Sequence, residues 1–421
     1  MAAPAVTTRC ASARPIFFGG SMPEVVSNQS FIAPYVALEP LAGGTDATTD
    51  MVESPGLDKP SGKYEIPLCD RPTLNVLVDH WLMGDRHAFD PHFATRDRVI
   101  NSVSAKTYAR RRALQNDAQQ FFLGVGSECL AQKRRYAREM RNVPKRDPGG
   151  QLMRLLDACP GVVLGEVHSH VGARKLLIEN MPALKAQGVE RLYMEHLLTD
   201  VHGDALAELN GSPHTEISAG VARYLRAQDN GWAPVSKLDR VFAEKYSYEA
   251  VVDAAHRAGI SVIAIDCAAS YFLKGGESYA DDSDVWRIPV MNYFSYLVIN
   301  ETSHARDRVP RDGQDGKWIA LVGNTHMSVF DGVPGLSELM GVPGVRFEDA
   351  MENRVGADTG FEIKHPSCFV GDTKNILVKG DFIFRMDVRE PGAEQTATPH
   401  RPSFLRRAVD YLSCYPGARR A

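Results

Sequence analysis

Apolar residues in the second half of this chain fall in short, evenly spaced runs. Gly161-Val-Val-Leu-Gly165, Glu190-Arg-Leu-Tyr-Met194, Ile260-Ser-Val-Ile-Ala-Ile265, Trp318-Ile-Ala-Leu-Val322 and Gly344-Val-Arg-Phe-Glu348 have the length of buried strands. Between them Gln151–Ala158 takes a helical period, and Ala173–Gln187, Ser247–Ala258, Val285–His304, with a break expected near Pro289, and the short Leu336–Met340 read as helices. Gly188 and Gly259 stand where two of these helices should stop. Apolar strands alternating with helices predict an α/β fold with a mostly parallel sheet flanked by helices. Thr199 to about Lys245 is rich in Gly, Asn, His and Asp and reads as a long insertion. Asn375–Val388 predicts an edge hairpin turning around Lys379-Gly380-Asp381.

The rest of the chain has a different texture. Residues 1–63 are rich in Ala, Pro, Ser, Thr and Gly and bury too little apolar surface to offset ordering, so they read as a flexible, disordered leader. Residues 64–150 read as an N-terminal helical region, 151–390 as the α/β domain, and 391–421 as an arginine-rich tail. Within 106–146 there are eleven Lys/Arg against three acids, 11 − 3 = +8. That stretch is either a solvated helical face or a contact for an anionic membrane. Over all 421 residues the net charge is −4, which calls for no nucleic acid. No apolar run reaches the roughly 18–20 residues of a membrane span. The N-terminus, with Arg9 and Arg14 scattered through it, does not read as a secretory signal. Seven widely spread cysteines, none in CxxC spacing, argue against a disulfide framework or a zinc ribbon.

Four of the strand runs end in the same kind of chemistry. They continue as Gly165-Glu166-Val167-His168-Ser169-His170, Glu195-His196, Asp266-Cys267 and Gly323-Asn324-Thr325-His326. A parallel sheet binds ligands outside the carboxyl ends of its strands. One fold therefore places Glu166, His168, Glu195, His196, Asp266 and His326 on a single rim, all but His196 as candidate catalytic residues. An imidazole beside carboxylates is a general base near neutral pH. The same set can hold a divalent metal, with His168, Glu195 and His326 as ligands. Asn324, Thr325 and Arg174 are candidates for binding substrate or an oxyanion. His196 should point away from Glu195 if both lie in a regular strand. His202, His214, His256 and His304 read as ordinary, and Cys267 as a buried, inert thiol. The His168-Ser169-His170 triplet does not extend to a zinc deubiquitinase pattern, because Ile178 and Met181 stand where that pattern needs a Ser and an Asp. There is no HExxH, GxSxG or phosphate-loop motif.

The Gly165-Glu166-x-His168 and Gly323-Asn-Thr-His326 motifs, with an acid ending the second strand, resemble the erythromycin-esterase/Tiki superfamily. The phrases around them, with AIDCAASYFLKG and VMNYFSYLVIN, are similar to the membrane-targeted effector domain of dermonecrotic-type bacterial toxins and related secreted effectors. The resemblance covers roughly Gln151 to Asp349. It implies an erythromycin-esterase-like α/β fold and a toxin- or effector-type enzyme, a hydrolase of an ester, amide or phosphoester with a Glu/His site. It carries over to Glu166, His168 and His326, and to Glu195 and Asp266 by their place in the motifs. It also implies delivery into a host cell and a host-cell target or small-molecule substrate; otherwise the chain would be cytoplasmic. Two other readings stay open: a non-catalytic module binding membrane or a host protein, and a haem or metal carrier.

Overall fold

The computed structural model describes residues 113–122, 124, 146–231, 244–271, 287–304, 316–366 and 373–389. The leader, most of the basic stretch and the tail lie outside these residues. Nine strands are present among the described residues. They are β1 (Gly161–Glu166), β2 (Val189–Leu198), β3 (Ser261–Asp266), β4 (Lys317–Gly323), β5 (Gly344–Ala350), β6 (Arg354–Ala357), β7 (Phe361–Pro366), β8 (Thr373–Val378) and β9 (Phe382–Asp387). Seven of them form one sheet in the order β3-β2-β4-β1-β5-β9-β6, parallel throughout except that β6 runs antiparallel to β9. This is the expected α/β architecture.

Both faces of the sheet are covered, which is why its central strands read as unbroken apolar runs. One face packs α1 (Pro148–Ala158), α2 (Gly172–Ala186), α3 (Thr199–Gly211), α4 (Ala219–Gly231) and α5 (Tyr248–Arg257) against Val162, Leu164, Leu192, Met194 and Ile319. The other packs α7 (Arg287–His304), the short turns α8 (Asn324–Met327) and α9 (Leu336–Leu339), and residues 113–122 against Val163, Tyr193, Ala320 and Val322. A further short turn, α6 (Ala268–Tyr271), follows β3. No helix among the described residues is long and apolar enough to cross a membrane.

The structure corrects two sequence expectations. The segment read as an insertion folds in part as α3 and α4, which bury Leu206 and Leu209, and Val221 and Leu225, at helical spacing on the sheet. The expected edge hairpin does not form. β8 pairs antiparallel with β7 in a separate two-stranded ribbon, while β9 leaves the Lys379-Gly380-Asp381 turn to lie parallel to β5. Gly188 and Gly259 do stop α2 and α5, both at positive φ.

Candidate functional site

The carboxyl ends of β1, β2, β3 and β4 meet at one edge of the sheet, and the polar residues that follow them form two groups on its two faces. The division begins in β2, whose pairing with β3 shifts register between Met194 and Leu198. Glu195 and His196 are both buried there and turn to opposite partners.

On the face covered by α5, Glu166 is the centre. Its Oε1 accepts from His196 Nε2 at 3.1 Å, from the Tyr248 hydroxyl, and from His168 Nδ1 at 3.4 Å. His168 Nδ1 and His196 Nε2 are themselves 3.2 Å apart. The Tyr248 ring stacks on His196 at 3.9 Å between centroids, and the Arg174 guanidinium lies 4.3 Å from the Tyr248 ring centroid. Arg174 is tied to Asp229 at 2.5 Å and to the His170 carbonyl at 2.8 Å. It therefore braces this group and is engaged by the protein itself. Burial pushes the Glu166 carboxyl up, but hydrogen bonds from His168 and His196 and the nearby Arg174 charge outweigh it and hold the group well below the carboxylate range. Burial raises Asp229 to about 6 despite its arginine partner.

On the α7 face, Glu195 is the centre. Its Oε2 accepts from the Gly323 amide at 2.6 Å and its Oε1 from Arg287 at 3.1 Å. His326 Nε2 lies 3.7 Å from the same Oε1. Burial opposes ionisation of Glu195, yet the His326, His168 and Arg287 charges bring it down to about 2. Burial lowers His326 to about 4. Asp266 stands one step back. It accepts from Arg287 at 3.1 Å, from the Cys267 amide at 2.7 Å and from the Ser270 hydroxyl, and burial raises its carboxyl. Cys267 is buried, with its thiol pushed well up by burial.

His168 joins the two groups. A Cβ on Gly323 would lie 3.3 Å from the His168 ring and 3.5 Å from Glu195 Oε2, so the missing side chain leaves the space in which these residues face each other. His168 is also the more open imidazole, its side chain 16% exposed against 4% for His326.

The five candidate catalytic residues thus share one rim, with Asp266 reaching it through Arg287. Asn324 is buried beside Gly165, and neither atom of its amide has a partner among the described residues. Thr325 is buried in α8. The three expected metal ligands fall in different groups. Among the described residues, the donor atoms that converge are those of Glu166, His168 and His196, with separations of 3.1, 3.2 and 3.4 Å. Donors about 2.0–2.1 Å from a tetrahedral ion stand about 3.3–3.4 Å apart, so this trio fits a divalent metal.

Sequence reasoning missed Tyr248, Arg287 and Asn292. Asn292 accepts from His326 at 2.7 Å. Tyr248 follows the Ser247 cap as the first residue of α5 and reads as a core aromatic. Arg287 and Asn292 lie on α7, whose apolar and polar residues do not separate onto opposite sides, so the sequence does not show which of its sides faces the site.

No family model matches the chain. Over 213 residues, 49% of its length, it is 24% identical to a multifunctional-autoprocessing repeats-in-toxin protein of Vibrio vulnificus, of which it covers 4%. Among solved structures it is similar to RRSP, a MARTX toxin effector domain from Vibrio vulnificus CMCP6. The TM-score is 0.41 at 18% identity, over 57% of this chain and 45% of that one. It is also similar to the C-terminal region of Pasteurella multocida toxin, at TM-score 0.40 and 10% identity, over 59% and 31% of the two chains. The chain spans less than half the length of each of these relatives.

Proposed function

We propose that this chain is an effector-type hydrolase, delivered into a host cell, that cleaves an ester, amide or phosphoester bond at the rim described above. The membership in the erythromycin-esterase/Tiki group suggested by the GExH and GNTH motifs belongs to this proposal. The observation that carries it is the pair of imidazoles, His168 and His326, gathered around the buried, ionised Glu195. Such a set moves protons to and from a substrate. His168, being the more open, meets the substrate first, with Glu166 orienting its Nδ1. Arg287 and the Gly323 amide hold Glu195 in place.

The test is a screen of the full chain against ester, peptide and phosphoester substrates beside Glu195→Gln and His326→Ala. Each variant should lose about 10²–10⁴-fold in kcat/KM. Full activity in both would remove the reading. The converging trio of Glu166, His168 and His196 supports a metal-assisted version, in which the bound ion would supply Lewis-acid chemistry. Elemental mass spectrometry should then find about one divalent ion per chain, lost in His196→Ala. Metal-free protein after repletion would leave the acid–base version.

A further inference from the structure

The hydrogen bonds behind His326 fix where its proton sits. Pro334 offers a carbonyl, which can only accept. The Asn292 side-chain nitrogen donates to it at 2.9 Å, so the amide oxygen must face the other way. That oxygen lies 2.7 Å from His326 Nδ1 and can only accept, so the ring carries its proton on Nδ1. A neutral ring protonated there has a bare Nε2. At 3.7 Å from Glu195 Oε1, Nε2 makes no hydrogen bond there, as the N–H of an imidazolium beside a carboxylate would. Nε2 faces Glu195 Oε1, 3.7 Å away, in a carboxylate that accepts from Arg287 and from the Gly323 amide. Two acceptors thus face each other across a gap longer than a hydrogen bond. Beyond Glu195 the surroundings are cationic, with Arg287 at 3.1 Å. An O–H donor approaching beside both atoms would find an acceptor in each.

We infer that Asn292, anchored on the Pro334 carbonyl, is a positioning residue that locks His326 in the Nδ1–H tautomer and so makes it a proton acceptor through Nε2. The chemical step rests on the hydrolase reading; the tautomer does not. In that step a water O–H bond breaks and its proton passes to Nε2. The electron pair stays on oxygen and forms the bond to the substrate's carbonyl carbon or phosphorus. The ring becomes an imidazolium, still donating from Nδ1 to Asn292, with Glu195 balancing its charge. The Nε2 proton then leaves with the departing group as the scissile bond breaks. Asn292 is fully buried and touches no reacting atom, so its whole effect passes through the ring.

The test reads the ring directly and needs no substrate. Full-length protein labelled with ¹⁵N-histidine is examined by long-range ¹H–¹⁵N correlation near neutral pH, and His326 is assigned by its loss in His326→Gln. The expected pattern is a protonated Nδ1 and a bare Nε2. An Nε2–H ring, or an imidazolium, in the wild type overturns the inference whether or not any variant folds. Asn292→Asp replaces the amide with a carboxylate and should convert the ring to an imidazolium at the same pH. Asn292→Leu should release the lock and mix the tautomers. An unchanged ring in both variants overturns the role of Asn292. If the expected tautomer is found but the chain hydrolyses no ester, peptide or phosphoester substrate, the hydrolase reading fails and the lock stands.

Discussion

Single residues here are governed by what burial does to their charge. His202 shows it away from the rim. It is buried, its Nδ1 accepts from the Leu198 amide at 2.9 Å, and burial lowers it to about 4. Its folded value lies below its unfolded one of about 6.5. From about pH 6.5 down to 4 the unfolded chain therefore takes up a proton that the native chain refuses, and stability falls. The loss from this one group approaches about 3 kcal/mol. Asp229, raised to about 6, acts in the opposite sense as pH falls below 6 and offsets part of it. In His202→Asn the amide oxygen can keep the Leu198 bond without titrating. Urea midpoints followed from pH 7 to pH 4 should fall less steeply in that variant than in the wild type; parallel curves would contradict the assignment.

Elements carry the site by how closely their backbones approach. Gly335 lies just after Pro334, the anchor of Asn292, and packs onto the backbone that leaves α8. A Cβ there would sit 2.5 Å from the Ser328 carbonyl oxygen and 2.6 Å from the Ser328 nitrogen. Backbone cannot swing aside as a side-chain tip can, so Gly335→Ala should cost about 1–3 kcal/mol. Chemical denaturation would show it, and a shift below about 0.5 kcal/mol would contradict it. This is also the scale at which the sequence was most and least readable. The four strand ends were legible because an apolar run that stops in Glu, Asp or His marks both an element and its rim. The helices α3 and α4 were not, since Gly, Asn and Asp carry a poor helix propensity that hid the spacing of Leu206, Leu209, Val221 and Leu225. The false hairpin at 375–388 shows the limit of local turn signals. Lys379-Gly380-Asp381 does turn the chain, but the strands on either side of it pair with β7 and β5 and not with each other.

At the scale of the whole molecule, the sheet places distant segments side by side. β1 pairs with β4, whose residues lie more than a hundred and fifty positions away, and Gly323 donates to Glu195 across 128 positions. Such pairings must wait for long loops to close. In pulse-labelled exchange during refolding, the amides of α5 should gain protection before that of Gly323. Simultaneous protection would contradict this order.

The dipeptide Glu195-His196 has a consequence at this scale too. One residue serves the α7 group and the next serves the α5 group, so neighbouring codons supply both halves of the rim. Inserting or deleting one residue just before them would exchange their faces and disconnect both halves at once. In lineage terms the two halves are inherited as a pair. Diversification of such a site is then confined to substitutions and to the helices that meet it, Tyr248 on one side and Arg287 with Asn292 on the other.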